Sequence, residues 1–299
     1  MTSAPARSGY VAIVGRPNAG KSTLLNALIG QKISITSRRP QTTRQNISGI
    51  VTRENAQLVF LDTPGFQTEF RSGLTQAMAR GLTSAVAQAQ AVLWLIDVTA
   101  REPLDSALFE HLRACPALVI ALNKIDRIPN KNQILAMIQL LDAAYHAQAI
   151  VPISAQSRLQ LDTLLDALTP LLPQQAFLYA PEEITTASVR NLAAEIIREK
   201  LFRLLGQELP YSTAVEIESF EEKSGRTVLT RISAVILVDK PGQKAIVIGK
   251  GGEKLKQIGT AARKDIETLV GNKVFLQLFV KVKQAWADDR GMLQRLGLP

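Results

Sequence analysis

The sequence predicts two folds in series, an α/β domain built on a mostly parallel sheet and, after it, a smaller α+β domain. Three observations predict this. Short apolar runs alternate with segments of helical periodicity between Tyr10 and Leu171. A glycine-rich loop, GRPNAGKS at Gly15 to Ser22, joins the first run to the first helical segment. Beyond Ser188 the pattern changes to helix, paired strands, a second glycine loop, helix and strand.

The apolar runs are Tyr10 to Val14, Leu58 to Leu61, Ala91 to Ile96, Ala117 to Leu122 and Ala149 to Ile153. They do not alternate with polar residues, which is the pattern of strands buried on both faces of a parallel sheet. Between them, Gly20 to Ile29, Leu74 to Gln88, Leu104 to Leu112, Lys131 to Ala144 and Leu159 to Leu171 carry helical spacing, and Pro170 and Pro173 close the last. Periodicity lapses from Pro173 to Ser188, where Pro181 adds a break, so this stretch reads as a linker.

After the linker, Val189, Leu192, Ile196, Leu201 and Leu204 mark one face of an amphipathic helix. Thr213 to Phe220 and Thr227 to Val238 read as paired strands with Gly225 near their turn. A helix over Glu253 to Val270 follows the second glycine loop, and Lys273 to Lys283 closes the chain's regular structure as a strand with Val274, Leu276, Leu278, Val280 and Val282 on one face. The order is αββααβ. The expected division is therefore a tail over 1–7, an α/β domain over 8–172, a linker over 173–188 and an α+β domain with a C-terminal tail over 189–299.

A chain of 299 residues, 46% of them hydrophobic, suits two domains with separate cores. Net charge is +9, and residues 184–299 hold 19 Lys and Arg against 13 Asp and Glu, which favours an anionic partner for the second domain. Cys115 is the only cysteine and His111 and His146 the only histidines, so no intrachain disulfide or cysteine metal cluster forms and a zinc site is disfavoured. The start, MTSAPARSGY, lacks the apolar core of a secretory signal, and no apolar run spans a bilayer. A cytoplasmic, reducing location is expected.

A loop of the form G-x-x-x-x-G-K-S lets backbone N–H groups converge on phosphate oxygens at the positive end of a helix. The phosphate-binding set is Gly15, Arg16, Pro17, Asn18, Ala19, Gly20, Lys21, Ser22 and Thr23, with Lys21 directed to the β- and γ-phosphates and the Ser22 hydroxyl to magnesium. Asp62, Thr63, Pro64 and Gly65 follow the second apolar run; the carboxylate there can hold magnesium through water and the Gly65 N–H can sense a γ-phosphate. Asn123, Lys124 and Asp126 (NKID) follow the fourth run. The Asp126 carboxylate can accept from both N1–H and the 2-amino group of guanine, donors that adenine lacks. Ser154 and Ala155 stand where a further base-binding loop is expected.

These four motifs in order resemble a P-loop GTPase of the translation-factor-related class. The resemblance makes Ile33 to Gln45 switch I, with Thr42 and Thr43 as candidates to cap magnesium in the GTP state and Thr43 preferred. Phe66, in switch II, stands where some GTPases place a water-orienting glutamine, and it has no hydrogen-bonding group. Asn18 matches an asparagine that coordinates potassium in related GTPases, so potassium joins magnesium as a candidate ion. The reading in which Asn18 only shapes the loop stays open. Arg38, Arg39 and Arg44 in the switch could stabilise transition-state charge, and the reading preferred for them is solvated or RNA-contacting side chains.

Ile248, Gly249, Lys250, Gly251 and Gly252 open a helix after strands, the setting in which a G-x-x-G loop lets a single-stranded backbone approach. Lys244, Lys250, Lys254, Lys256, Arg263 and Lys264 surround it as phosphate contacts, with Ile246, Ile248, Leu255 and Ile258 as groove or core residues. Trp286 reads as a packing residue. With the αββααβ order, this resembles a type II KH domain. QTTR and DTPG, then AAEIIREKLFRLLGQELPY at Ala193 to Tyr211, IGKGG, and KVKQAWADD at Lys281 to Asp289 together resemble the bacterial Era GTPase family over nearly the whole chain.

That resemblance implies binding to the 3′ end of small-subunit (16S) ribosomal RNA, a role in maturing the 30S subunit, and a cytoplasmic protein, expected to be a monomer, with peripheral association at the inner membrane; the switch residues lead us to expect slow GTP hydrolysis. Two alternatives stand beside it. One is an RNA chaperone with incidental GTP turnover, and the other a related GTPase of large-subunit assembly or tRNA modification.

Overall fold

A computed structural model describes residues 5–36, 42–66, 72–101, 106–112, 115, 117–206, 209–223 and 228–298. The chain divides into two compact units whose boundary falls between Thr186 and Ala187, with described residues 35, 36, 42 and 72–77 grouping with the second.

The first unit is a six-stranded sheet of β1 (Arg7–Val14), β2 (Ile47–Arg53), β3 (Ala56–Asp62), β4 (Ala91–Asp97), β5 (Leu118–Asn123) and β6 (Ala149–Pro152), in the order β2-β3-β1-β4-β5-β6. Every pairing is parallel except β2 against β3. The continuous apolar runs split by alternate residues into two cores. Val11, Ile13, Leu93, Leu95, Val119 and Ala121 face one layer, and Ala12, Val14, Val92, Trp94, Ile120 and Leu122 face the other. Helices α1 (Lys21–Ile29) and α5 (Leu161–Leu168) cover the first layer through Leu24, Leu25, Leu164 and Leu168. Helices α2 (Gly73–Gln88), α3 (Ser106–Leu112) and α4 (Lys131–Tyr145) cover the second through Leu82, Leu108, Leu112 and Leu141. This three-layer arrangement puts the loops after β1, β3, β5 and β6 at one edge of the sheet, where ligands bind in open α/β folds.

Strand β2 has no counterpart among the apolar runs of the sequence reading. Its residues, ISGIVTR, follow the switch segment directly and join β3 through Glu54 and Asn55. The stretch read as a linker is not a free tether over most of its length. Gln174 bridges Arg7, the Gln57 side chain accepts from the N–H groups of Leu178 and Tyr179 at 2.8 and 2.9 Å, and Ile50 N–H donates to the Ile184 carbonyl at 2.9 Å.

The second unit contains α6 (Val189–Leu204), β7 (Thr213–Lys223), β8 (Leu229–Val238), α7 (Pro241–Ile248), α8 (Glu253–Val270), β9 (Lys273–Val282) and α9 (Arg290–Arg295). The sheet order is β7-β8-β9, with β7 antiparallel and β9 parallel to β8. Ala193, Ile196, Ile197 and Leu201 of α6 and Ile258, Ala262 and Ile266 of α8 pack on Ile232, Ala234 and Ile236 of β8. At the two ends of α6, Val189 and Leu204 are exposed although helical spacing placed them on the buried face. On β9, Val274 and Val280 are buried, whereas Val282 at the strand's end is exposed, as are Phe275 and Phe279 on the other face. Trp286 is buried and its indole N–H donates to the Ser212 carbonyl at 3.1 Å, a packing role. Gly225 lies outside the described residues.

Candidate functional site

The phosphate loop runs from the end of β1 into α1. Gly20 sits at φ 102°, a left-handed conformation that favours glycine, and a Cβ there would lie 2.4 Å from Asn123 Nδ2. The absent side chain is what lets the Asn123 amide reach the Ala19 carbonyl at 2.8 Å. Asn123 Oδ1 in turn accepts from Ala155 N–H at 3.0 Å, so one buried side chain ties the loops after β1, β5 and β6. The Ala155 N–H, expected to face a base oxygen, is used in this tie.

Lys21 is buried, and its ammonium donates to the Gly15 and Arg16 carbonyls at 3.0 Å each. Burial lowers its pKa from 10.5 to about 8, against the opposing pull of the Asp62 charge. Thr63 and Phe66 lock the chain after β3 onto the phosphate loop's strand: Thr63 Oγ1 donates to the Ile13 carbonyl at 2.7 Å, and Phe66 N–H to the Gly15 carbonyl at 3.1 Å. The Phe66 ring is buried in the second core layer. Pro64 and Gly65 lie between these two anchors.

Asp62 is fully buried. Its Oδ2 accepts from Ser22 Oγ at 2.7 Å, Ser34 Oγ at 2.8 Å and Thr43 Oγ1 at 3.5 Å, and no donor among the described residues reaches Oδ1. Burial pushes its carboxyl above the usual carboxylate range, and the three hydroxyls and the Lys21 charge only partly offset this. Ser22 Oγ and Thr43 Oγ1 are 2.8 Å apart, which places Thr43 at this cluster. The donor set is all oxygen and includes a buried carboxylate oxygen without a partner, and it fits a hard cation such as magnesium held partly through water. Groups of His, Cys, Asp or Glu able to hold a metal are absent among the described residues.

Asn18 adopts a left-handed conformation at φ 64° with its side chain exposed, and its carbonyl accepts from Lys124 Nζ at 2.8 Å. Lys124 Nζ also pairs with Asp97 Oδ2. Partial burial pulls the Asp97 carboxyl upward, but hydrogen bonds from Lys124 and Thr99 hold it below its ordinary value. Asp126 is exposed at the rim, where its Oδ1 accepts from Ser154 Oγ at 2.6 Å. Arg38 and Arg39 lie outside the described residues. Arg44 is buried, not solvated as its sequence suggested. Asn26, Ser34 and Asp97 belong to the cluster and carry no motif that announces them.

In the second unit, α7 ends at Ile248 and α8 begins at Glu253, with a single 3-10 turn, Lys250–Gly252, between them. Gly249, Gly251 and Gly252 all have φ between 61° and 80°, and a Cβ on Gly249 would stand 2.7 Å from Lys254 Cβ. Only a glycine loop makes so abrupt a junction. Lys250 and Gly251 project into solvent, with Lys244, Lys256, Arg263 and Lys264 exposed around them and Lys254 half-buried. Ile246 is exposed, Ile248 and Leu255 are half-buried against the core, and Ile258 is fully buried, which makes Ile258 a core residue.

Both parts of the chain are similar to known proteins. Residues 10–124 match a family model described as 50S ribosome-binding GTPase, and residues 208–287 match a KH domain model. GTPase Era of Neisseria meningitidis serogroup C is 47% identical over 294 residues, covering 98% of this chain and 95% of that protein. Among solved structures, Era in complex with MgGDPNP and nucleotides 1506–1542 of 16S ribosomal RNA superposes with a TM-score of 0.90 at 36% identity, covering 98% of this chain and 99% of that one. An Aquifex aeolicus Era variant bound to GDP and aluminium fluoride also gives a TM-score of 0.90 at 36% identity, covering 97% and 99%.

Proposed function

This chain belongs to the Era family of GTPases, and we propose that it binds and hydrolyses GTP and binds the 3′ end of small-subunit ribosomal RNA in assisting maturation of that subunit. The observation that carries the nucleotide half is the meeting, through Asn123 and Asp62, of loops from four strands at one sheet edge. Asp126 accepts from the guanine N1–H and 2-amino group, Lys124 lays its stem along the ring, and Asn123 keeps the base loop in register with the phosphate loop. The phosphates take the place of the Gly15 and Arg16 carbonyls as partners of Lys21.

Magnesium, when bound, neutralises charge on the β- and γ-phosphate oxygens. Ser22 and Thr43 would offer hydroxyls to it, and Asp62 Oδ1 would accept from its water. Water attacks the γ-phosphorus, the bond to the bridging oxygen breaks with its electron pair going to GDP, and the water's proton passes to the released phosphate. Phe66 has no group that orients the water, which accords with slow turnover, and Asn18 would hold a potassium ion that would supply positive charge to the phosphates.

The exposed GKGG loop and its basic surround hold the phosphates of single-stranded RNA while bases lie on Ile246 and Ile248. The chain acts as a cytoplasmic monomer with peripheral contact at the inner membrane; no helix among the described residues is long and apolar enough to cross a bilayer. Crosslinking the protein to RNA in cells and sequencing what is bound tests the reading. Reads are expected at the 3′ end of small-subunit RNA, and recovery of large-subunit RNA or tRNA alone overturns it.

A further inference from the structure

Ser34 stands at the root of the switch segment, and its side chain is almost wholly buried. Its hydroxyl donates to Asp62 Oδ2 at 2.8 Å. The residue cannot drift, because Asn26 of α1 clasps its backbone from both sides. Asn26 Oδ1 accepts from Ile33 N–H and Ser34 N–H at 2.9 Å each, and Asn26 Nδ2 donates to the Ser34 carbonyl at 2.7 Å. The phosphate-loop helix thus carries its own clamp on the first residue of the switch cluster.

Three hydroxyls reach Asp62 Oδ2, and they are not equivalent. Ser22 and Thr43 are themselves oxygens offered to the metal, and Thr43 lies at the far end of the switch at 3.5 Å. Ser34 has no such second duty. Carboxylate torsion is free unless donors fix it, and a ligand's outer partners set where its remaining lone pairs point. With Oδ2 pinned from the Ser34 side, Oδ1 stays buried, met by no donor among the described residues.

We infer that Ser34, clamped by Asn26, is the positioning residue that sets the Asp62 carboxylate to receive the metal-bound water. The inference rests on the reading of Asp62 as an outer partner of magnesium. Ser34 acts through Asp62 and touches neither nucleotide nor metal. Among the described residues, the hydrogen bonds of the Asn26 side chain go to residues 33 and 34.

The test is release of a fluorescent GDP from the full chain, measured with EDTA and over a series of magnesium concentrations. In Ser34→Ala the EDTA rate is expected to stay within about twofold of the parent, while the magnesium needed to half-slow release rises roughly tenfold or more. Ser34→Cys, similar in size and a weaker donor, is expected between the two, and Asn26→Ala shifts the same midpoint. A midpoint unchanged in Ser34→Ala overturns the inference, as does an equal change in the EDTA and magnesium rates, which marks a merely structural role. If Ser34→Ala fails to fold, the Ser34→Cys and Asn26→Ala midpoints decide by the same criterion. A parent whose GDP release ignores magnesium removes the metal reading and the inference together.

Discussion

The Asn123 amide donates to the Ala19 carbonyl at 2.8 Å, bolting the loop after β5 to the loop after β1. Asn123→Ala removes that bond and the acceptor of Ala155 N–H at once, leaving two buried backbone groups unpaired. Each unpaired buried group costs about 1–3 kcal/mol. Release of a fluorescent GDP is therefore expected to quicken by about tenfold to a hundredfold, accompanied by a lower melting temperature. Unchanged release would mean the two loops hold their places without this side chain.

Lys21 gives the nucleotide-free protein a pH signature. Its folded pKa, about 8, lies below the unfolded 10.5, so between those values the unfolded chain binds more protons and stability rises with pH. Below about pH 8 the lysine is charged in both states and the whole cost of burying it is present. At about 1.4 kcal/mol per pKa unit that cost is on the order of 3 kcal/mol. Lys21→Met should melt higher than the parent at pH 7, and the gap should close between pH 8 and 10.5. A gap independent of pH contradicts the assignment.

Much of this site is legible in the sequence because its chemistry needs special backbone. The phosphate loop and GKGG demand glycine at fixed spacing, and their positions follow directly. The clamp of Asn26 on Ser34 has no such mark, since two small polar residues eight positions apart form no pattern until a helix and a loop fold together. Strand β2 escapes because Ser48 and Gly49 dilute its β signal, although the polar Glu54 and Asn55 between two apolar runs do mark a hairpin. Gln57 reads as a polar interruption in β3. It is fully buried, and the backbone of Leu178 and Tyr179 satisfies it, a partner some 120 residues away that spacing cannot reveal.

Asn18 separates two accounts of turnover. If its side chain holds potassium, replacing potassium by sodium should slow hydrolysis, and removal of one such electrostatic stabiliser costs on the order of a hundredfold. Asn18→Ala should be slow in both salts. The Lys124 bond to its backbone carbonyl does not depend on the side chain. Equal parent rates in the two salts leave Asn18 as a loop-shaping residue at φ 64°.

Lys250 tests the RNA site without disturbing the fold, because it projects into solvent from a turn whose geometry is set by glycines. A lysine that neutralises one phosphate of a single strand contributes about 0.7 to the slope of log affinity against log salt. Lys250→Ala is therefore expected to weaken binding of an oligonucleotide matching the small-subunit RNA 3′ end and to flatten the salt slope by roughly that amount. Lys256→Ala, exposed one turn into α8, should do the same to a degree set by its distance from the backbone. Gly249→Ala should act differently, since the added Cβ meets Lys254 at 2.7 Å and distorts the loop. It lowers affinity at every salt concentration while leaving the slope near its original value. Titrations at several salt concentrations distinguish the two effects, and a slope insensitive to Lys250 would place the RNA backbone elsewhere on this unit.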